Sequence, residues 1–493
     1  MYRSRPKGDL KPESLNFMSS VEIDKELLLY DVLSTEAHVI MLHERKLLER
    51  KELKPILFEL RKLLHEPNKL VIQGYEDIHE ALEAHLVNKL GMEIGGRIQT
   101  GRSRNDQVIL DIKMLTRDEL NRLCLRIIRL VEGILEKAQE NMNSIMPLYT
   151  HLQQAQIGNL SHYFLSYSEQ LFRDLERLYN AYTKINKSPL GAGPIGGSSL
   201  PVDRERTALL LGFKGLVTNS IDATSSRDSI VEVLSALSIL MITLSRIAED
   251  FIIWSTQEFG YLEIADNFAS TSSAMPHKKN PDPLELIRSK AAIVSGNLMT
   301  SLMILRGLPS GYNRDLQDLK KVLFDSLSLV YDSLGMIDAI VRTIIIHDRR
   351  MNQAVIDSFA NSIDIAEQLV VKYGLSFRTA HRLVGSMVRV ALDKKGLSLS
   401  SLSQDDIEHA IVGKSNELKA EEVLNILQET DPKEMLLSRA VQGSPNPRMQ
   451  KAAIKISRIR LQKYMDKLIV RKKLLKTSLD TLTRVSWLYL NKK

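Results

Sequence analysis

A chain of 493 residues, 44% hydrophobic and 26% charged, is long enough to bury several cores and to divide into more than one domain. Its single cysteine, Cys124, excludes an internal disulfide and fits a reducing compartment. The formal charge of +7 is uneven, because residues 451–493 hold 13 Lys and Arg against 2 Asp, leaving the rest slightly acidic.

The first twenty residues are charged and interrupted by Pro6 and Pro12, so they lack the apolar core of a secretion signal. Apolar runs such as VRTIIIH at 341–347 fall far short of the roughly eighteen residues a membrane span needs. A soluble cytoplasmic protein is expected.

Residues 16–53 open a helical region with an apolar face at Leu27, Leu28, Leu29, Val32, Leu33, Ala37, Ile40, Met41 and Leu42. A short helix is expected before Pro67. No proline occurs from 68 to 146, and Val108–Ile134 repeats apolar residues at helical spacing. Between helical stretches, Gly91, Gly95, Gly96 and Gly101 predict turns, and the polar cluster GRSRNDQ follows at 101–107. A second glycine and proline patch, PLGAGPIGGSSLP at 189–201, ends the helix containing Leu171–Tyr182.

The proline-free stretch 202–275 predicts a helix from 229 to 259, opened by a Ser229–Glu232 capping box and about 46 Å long. A helix that long and apolar must be covered on several sides, which argues for a bundle of long helices completed by other copies of the chain. Residues 310–431 read as shorter helices, with a Gly374 turn and a separate small domain near 350–440. Strand-like alternation is scarce. The basic tail reads as an amphipathic helix with Ile456, Ile459, Leu461, Leu468, Ile469, Leu474 and Leu475 supplying apolar groups. A solvated basic face is the main reading of it, with anion, nucleic-acid or membrane-surface contact as alternatives.

The stretch DNFASTSSAMPHKKNPDPLELIRSK, residues 266–290, is the least helix-like part of the chain: small hydroxyls, lysines and prolines open onto a renewed apolar periodicity. It is one of four polar clusters at helix ends. The others are Ser103, Arg104, Asn105 and Gln107; Thr150, His151 and Gln153; and Tyr312, Asn313, Arg314, Gln317 and Lys320. Any one of these is ordinarily a capped or solvated helix end. Together, several cations beside hydroxyl and amide donors suit a substrate carrying several carboxylates.

Other chemistries have less support. HExxH is absent, no His, Cys or carboxylate set has metal-ligand spacing, and Asp77 and His79 read as helix-end or packing residues. GAGPIGG at 191–197 is not a dinucleotide fingerprint and lacks the GK pair of a phosphate loop, and no GxSxG surrounds Ser272.

The motifs SSVEID (19–24), EDIH (76–79), TGRSRNDQV (100–108), YTHLQQAQ (149–156), TSSAMPHKKNPD (271–282) and YNRDLQ (312–317) resemble those of the argininosuccinate lyase family, within the fumarase/aspartase superfamily. LFRDLERL, PLGAG, NSIDATSSRD and FRTAHRLVG extend the resemblance over about 17–450. It implies a mainly α, three-domain lyase fold with a central bundle of long helices completed in a homotetramer. The expected divisions are 1–101, 102–350, 351–440 and the basic segment 441–493. The implied reaction is reversible elimination of argininosuccinate to arginine and fumarate, the last step of arginine biosynthesis, with no metal or organic cofactor. No nucleic-acid or membrane partner is expected.

By the same resemblance Ser272 is the base, Lys278 and Asn280 stabilise the carbanion, and Thr150 and His151 lie in the general-acid region with Glu285 orienting His151. Ser20, Asp24, Ser103, Arg104, Asn105, Tyr312, Gln317 and Lys320 bind substrate. Departures from the family pattern are Thr271 for glycine, Gln99 for histidine, Leu148 and Ile157 for glycine and proline, and Leu319 for an acid. The alternatives are adenylosuccinate lyase, which PHKKNP also resembles, and a non-catalytic structural protein on the same fold.

Overall fold

The computed structural model describes residues 11–394, 398–412, 418–428 and 431–491; expectations for residues 1–10 and for Lys492 and Lys493 lie outside these. The chain is mainly helical, and six short strands form three two-stranded ladders among the described residues.

The expected helical region 16–53 is broken into short pieces, Pro12–Met18, Val21–Asp24 and a 3-10 turn at Lys25–Leu27, before α1 (Leu28–Glu44). Lys46, at φ 60, turns the chain into a further helix, Arg50–His65. Helix α2 (Ile78–Leu90) starts at Asp77, whose carboxylate accepts from the Glu80 amide at 2.8 Å, the usual device for an orphan N–H at a helix start. Of the four glycines at 91–101, only Gly91 and Gly101 have positive φ; Gly95 and Gly96 sit inside helical turns instead.

Helix α3 (Arg104–Glu140) runs 37 residues, about 55 Å, and is opened by a capping box between Ser103 and Asp106. The hairpin β1 (Ile145–Thr150) and β2 (Gln153–Asn159) follows at its far end, then α4 (Leu160–Ile185). Helix α5 (Asp228–Ser255) is shorter than expected, and the Ser229–Glu232 capping box does not form. Arg227 stands at the cap position without a side-chain cap bond, and Asp228 in the first turn accepts from the Ser229 amide at 2.7 Å and from the Ser226 hydroxyl at 2.8 Å.

A two-residue strand, β3 (Leu262–Glu263), leads to the hairpin of β4 (Ser270–Thr271) and β5 (Lys279–Asn280), and α6 (Asp282–Leu305) begins directly behind it. Helix α7 (Leu319–Thr343) returns antiparallel, with the Asn297 amide donating to Ser326 at 3.0 Å to fix the register. Strand β6 (Ile345–Ile346) pairs back to β3. Five short helices between Ser362 and Ser438 enclose a second apolar cluster around Ile365, Leu383, Met387 and Ile407.

The last helix, α8 (Pro447–Asn491), lies along α3 and α4. Its buried residues Ile454, Leu461, Leu468, Leu475 and Leu482 recur every seven positions, the spacing that keeps one seam against a neighbouring helix. Ile456, Ile459, Ile469 and Leu474, expected on the packed face, are therefore exposed.

Helix α5 is long and apolar enough to cross a membrane by length and composition, which inspection of continuous apolar runs had not indicated. Here it packs against α4, α6 and α7, with Val233, Leu237, Leu240, Leu244 and Phe251 buried. One chain does not cover it fully: Ile239 and Ile242 stay exposed, as do Leu286, Ile293, Met299, Leu302 and Met303 on α6.

Candidate active site

The predicted site residues gather into two groups at opposite ends of the bundle. At the end where α3 and α7 begin, Lys320 is buried and donates to Asp24 Oδ1 at 2.5 Å and to Ser20 Oγ at 2.9 Å. Ser20 in turn donates to the other Asp24 oxygen at 2.7 Å. Such a pair persists in a dry setting because both charges are matched and hydrogen-bonded.

The Gln317 amide donates to the Met18 carbonyl at 3.0 Å, tying the turn before α7 to the amino-terminal segment. Arg104, at the first turn of α3, lies 3.0 Å from Asp77 and 3.5 Å from Glu76, and Arg314 reaches the same Glu76 at 3.2 Å. Tyr312 is close enough to Arg227, Arg314 and Asp77 to feel their charge; burial first of all raises its hydroxyl pKa. Ser103 is the α3 cap, accepting from the Asn105 amide at 3.3 Å, while the Asn105 side chain donates to the Pro194 carbonyl at 3.0 Å. Asp106 holds that glycine-rich turn in place by accepting from the Gly191 and Gly193 amides at 2.9 and 2.8 Å.

Two residues here were missed by sequence reading, Glu76 and Arg227, while Arg314 was named in its polar cluster without a role. Arg227 is almost wholly buried, and burial draws its guanidinium down to about 10. One of its nitrogens donates to the Thr224 and Ser226 carbonyls, at 3.1 and 3.0 Å. Its Nε and Nη2 have no hydrogen-bond partner among the described residues. The signal in the sequence is the NSIDATSSRD stretch at 219–228, in which Arg227 is the sole cation.

At the other end, His151 and Leu152 form the turn between β1 and β2 with φ of 55 and 56, and both are exposed. Left-handed conformations cost an L-residue about 1–2 kcal/mol, so the hairpin must hold this turn. Thr150 pairs with Gln153 beside it. Leu148 lies over Gly158, where an added Cβ would meet its side chain at 2.5 Å, so the leucine at 148 is matched by glycine across the ladder.

Ser272 follows β4, and its oxygen accepts from the Ala274 amide at 3.3 Å and the Met275 amide at 3.1 Å. Thr271 lies in extended backbone opposite Lys279, so no left-handed conformation is demanded where the family has glycine. Lys279 bridges Glu263 at 2.7 Å and Asp266 at 2.6 Å, anchoring the hairpin, while Lys278 projects into solvent. The Asn280 amide donates to Ser270 at 3.4 Å, and Ser270 is bonded to Asp282. Glu285 is exposed in the first turn of α6, and among the described residues no hydrogen bond joins it to His151. Gln99 donates to Glu83 at 2.8 Å; Leu319 and Ile157 are fully buried.

The two groups cannot meet within one chain. The Asn297–Ser326 register places Lys320 opposite the last turns of α6, and that helix is 24 residues, about 36 Å, long. Even folded back along α6, the Ser272 hairpin would stop about 20 Å short, at about 3.3 Å per extended residue. Helix α3 separates Arg104 from His151 in the same way.

Behind the first group, Asp31, His79 and Asp111 are wholly buried, with donor atoms within 4.8 Å of one another. Three helices assemble this trio, which local sequence spacing could not show. Burial disfavours protonation of His79, but Asp31 above all, then Asp77 and Asp111, hold its pKa up at about 9, and Arg102 supplies a second positive charge nearby. The donor set thus reads as a buried polar cluster in which His79 and Arg102 supply the positive charge.

Long antiparallel helices, a hydroxyl-bearing hairpin at the start of one of them and remote cationic clusters define the lyase class of the fumarase/aspartase superfamily. A family model described as Lyase matches residues 33–296, and one described as argininosuccinate lyase C-terminal matches residues 359–430. Argininosuccinate lyase of Nitrosopumilus maritimus (strain SCM1) is 41% identical over 485 residues, 98% of this chain and 99% of that protein. The Methanocaldococcus jannaschii enzyme of the same name is 38% identical, over 94% of this chain and 95% of its own. Among solved structures, EDDS lyase in complex with formate superimposes with a TM-score of 0.87 at 29% identity, covering 98% of this chain and 96% of that one. Class II fumarase from Schistosoma mansoni shares the fold alone, with a TM-score of 0.65 at 17% identity over 82% and 91% of the two chains. The chain belongs to the argininosuccinate lyase family.

Proposed function

We propose that this protein splits argininosuccinate reversibly into arginine and fumarate, the last step of arginine biosynthesis. The observation that carries this reading is the near full-length identity to argininosuccinate lyases, with a suitable group at each position to which a chemical role is given. The carboxyl-terminal family match favours it over adenylosuccinate lyase and over a non-catalytic protein on the same fold.

In this reading Ser272 removes the proton next to a carboxylate. A serine hydroxyl is ordinarily a poor base, and the two amides directed at its oxygen favour the alkoxide. Lys278 and Asn280 offset the charge that develops on the carboxylate as the proton leaves. His151 protonates the departing guanidinium nitrogen, with Thr150 beside it and Glu285 orienting the imidazole. Arg104, Ser103, Asn105, Tyr312 and Gln317 bind the remaining polar groups of the substrate, and the Ser20–Asp24–Lys320 network supplies charges of both signs.

The separation of the two groups supports a site built from several chains, and the exposed apolar residues of α5 and α6 are a suitable surface for a homotetramer. Such assembly would bring the Ser272 hairpin of one chain to the Lys320 end of another. The test is fumarate release from argininosuccinate and, separately, from adenylosuccinate. Release from the first supports the assignment; release only from the second overturns it.

A further inference from the structure

We infer that Tyr261, which lies outside all the motifs described above, is a positioning residue for His151, acting through a hydroxyl-to-hydroxyl hydrogen bond to Tyr149. The inference rests on the reading of His151 as proton donor. Tyr149 stands two residues before His151 on β1, and its Oη lies 2.5 Å from Tyr261 Oη. Tyr261 is buried in the turn after α5, where its carbonyl accepts from the His347 amide at 2.9 Å.

Three features make this contact more than packing. First, the turn it anchors places both His151 and Leu152 at positive φ, a conformation neither side chain favours, so the ring position depends on what fixes the flanking strands. Second, Tyr149 is held at several points. Its amide donates to the Tyr163 hydroxyl oxygen at 3.3 Å, its ring contacts Phe259 at 5.7 Å between centroids, and Phe259 lies 5.4 Å from Tyr261. Burial keeps the Tyr149 hydroxyl protonated, so the link is a neutral hydrogen bond throughout the working pH range. Third, the segment beginning at Tyr261 also carries Glu263 and Asp266, the carboxylates that grip Lys279 in the Ser272 hairpin. One short segment therefore fixes both the acid turn and the base hairpin of the same chain.

The test compares Tyr261→Phe, Tyr149→Phe and the double variant in the assembled protein, following fumarate release and the pH dependence of kcat. Each single change is expected to lower kcat by about five- to tenfold, the loss corresponding to one well-formed hydrogen bond, with KM within about twofold of wild type. The double variant is expected to be no slower than the slower single one, because both remove the same bond. The limb of the pH profile assigned to His151 should shift in all three variants alike. A Tyr261→Phe enzyme with kcat within about 1.5-fold of wild type, or effects that multiply in the double variant, would overturn the inference. Loss of kcat that follows loss of assembled protein would overturn it too. If instead the wild type releases no fumarate from argininosuccinate, the underlying functional reading fails, and this outcome is distinct from the others.

Discussion

Lys320 Nζ sits 2.5 Å from Asp24 Oδ1, although the two stand 296 positions apart in the chain, and both side chains are shut away from solvent. Removing one partner strands the other charge in a dry site, which typically costs about 3–5 kcal/mol. Lys320→Met and Asp24→Asn are each expected to lower the thermal unfolding midpoint clearly. The double variant should recover part of the loss, since no unpaired charge remains. Additive losses in the double variant would show that the pair is not coupled.

Because α6 holds the Ser272 hairpin away from the Arg104 and Lys320 end, two inactive chains should complement each other. Ser272→Ala and Arg104→Met proteins, dissociated and reassembled in equal amounts, are expected to regain roughly a quarter of wild-type activity, the fraction of composite sites drawing both intact residues under random mixing. Co-assembly with no recovered activity would place both residues in one chain's site.

The apolar surface of α6 gives a simpler check on assembly. Ile293 is 49% exposed in the single chain, and Ile293→Glu puts a charge where a neighbouring subunit is expected. Sedimentation should show smaller species for this variant, with helical content unchanged. A tetramer as tight as wild type would remove the face from the interface.

The buried cluster around His79 makes stability depend on pH. A histidine raised from 6.5 to about 9 contributes stability fully below about 6.5 and loses it as pH rises through about 9. Burial, with Asp31 nearby, also raises Asp111, so its contribution likewise favours lower pH, whereas Asp31 is held low by His79 despite burial and matters only in acid. The melting temperature is therefore expected to fall between pH 6.5 and 9.5, and His79→Gln should flatten that slope. An equally steep slope in the variant would assign the effect to other groups.

Much of this architecture was legible in the sequence because helical periodicity and punctuation are local properties. The long α3 and α5 helices, the polar loop before α6 and the polar clusters at helix ends all follow from residue spacing, whereas the pairing of Ser270–Thr271 with Lys279–Asn280 that makes the loop a hairpin does not. What spacing could not supply was partnership across the chain. Helix α5 starts at Asp228, which accepts from Ser226, and not at a Ser229 capping box, and the seven-residue seam of α8 exposes Ile456 and Ile459 because α3 and α4 lie on the other side. The Asp31–His79–Asp111 cluster joins residues up to 80 positions apart, and Arg227 gains its interest only from being buried near Tyr312. The separation of Ser272 from Lys320 is likewise invisible until α6 and α7 are placed in register.

The most direct measurement is fumarate absorbance released from argininosuccinate by wild-type protein and by Ser272→Ala, with substrate binding and assembly measured on both. The account predicts steady release by the wild type and a loss of about 10²–10⁴-fold in turnover for Ser272→Ala, with assembly intact and binding little changed. Near-normal turnover by Ser272→Ala, or no release by the wild type, would contradict it.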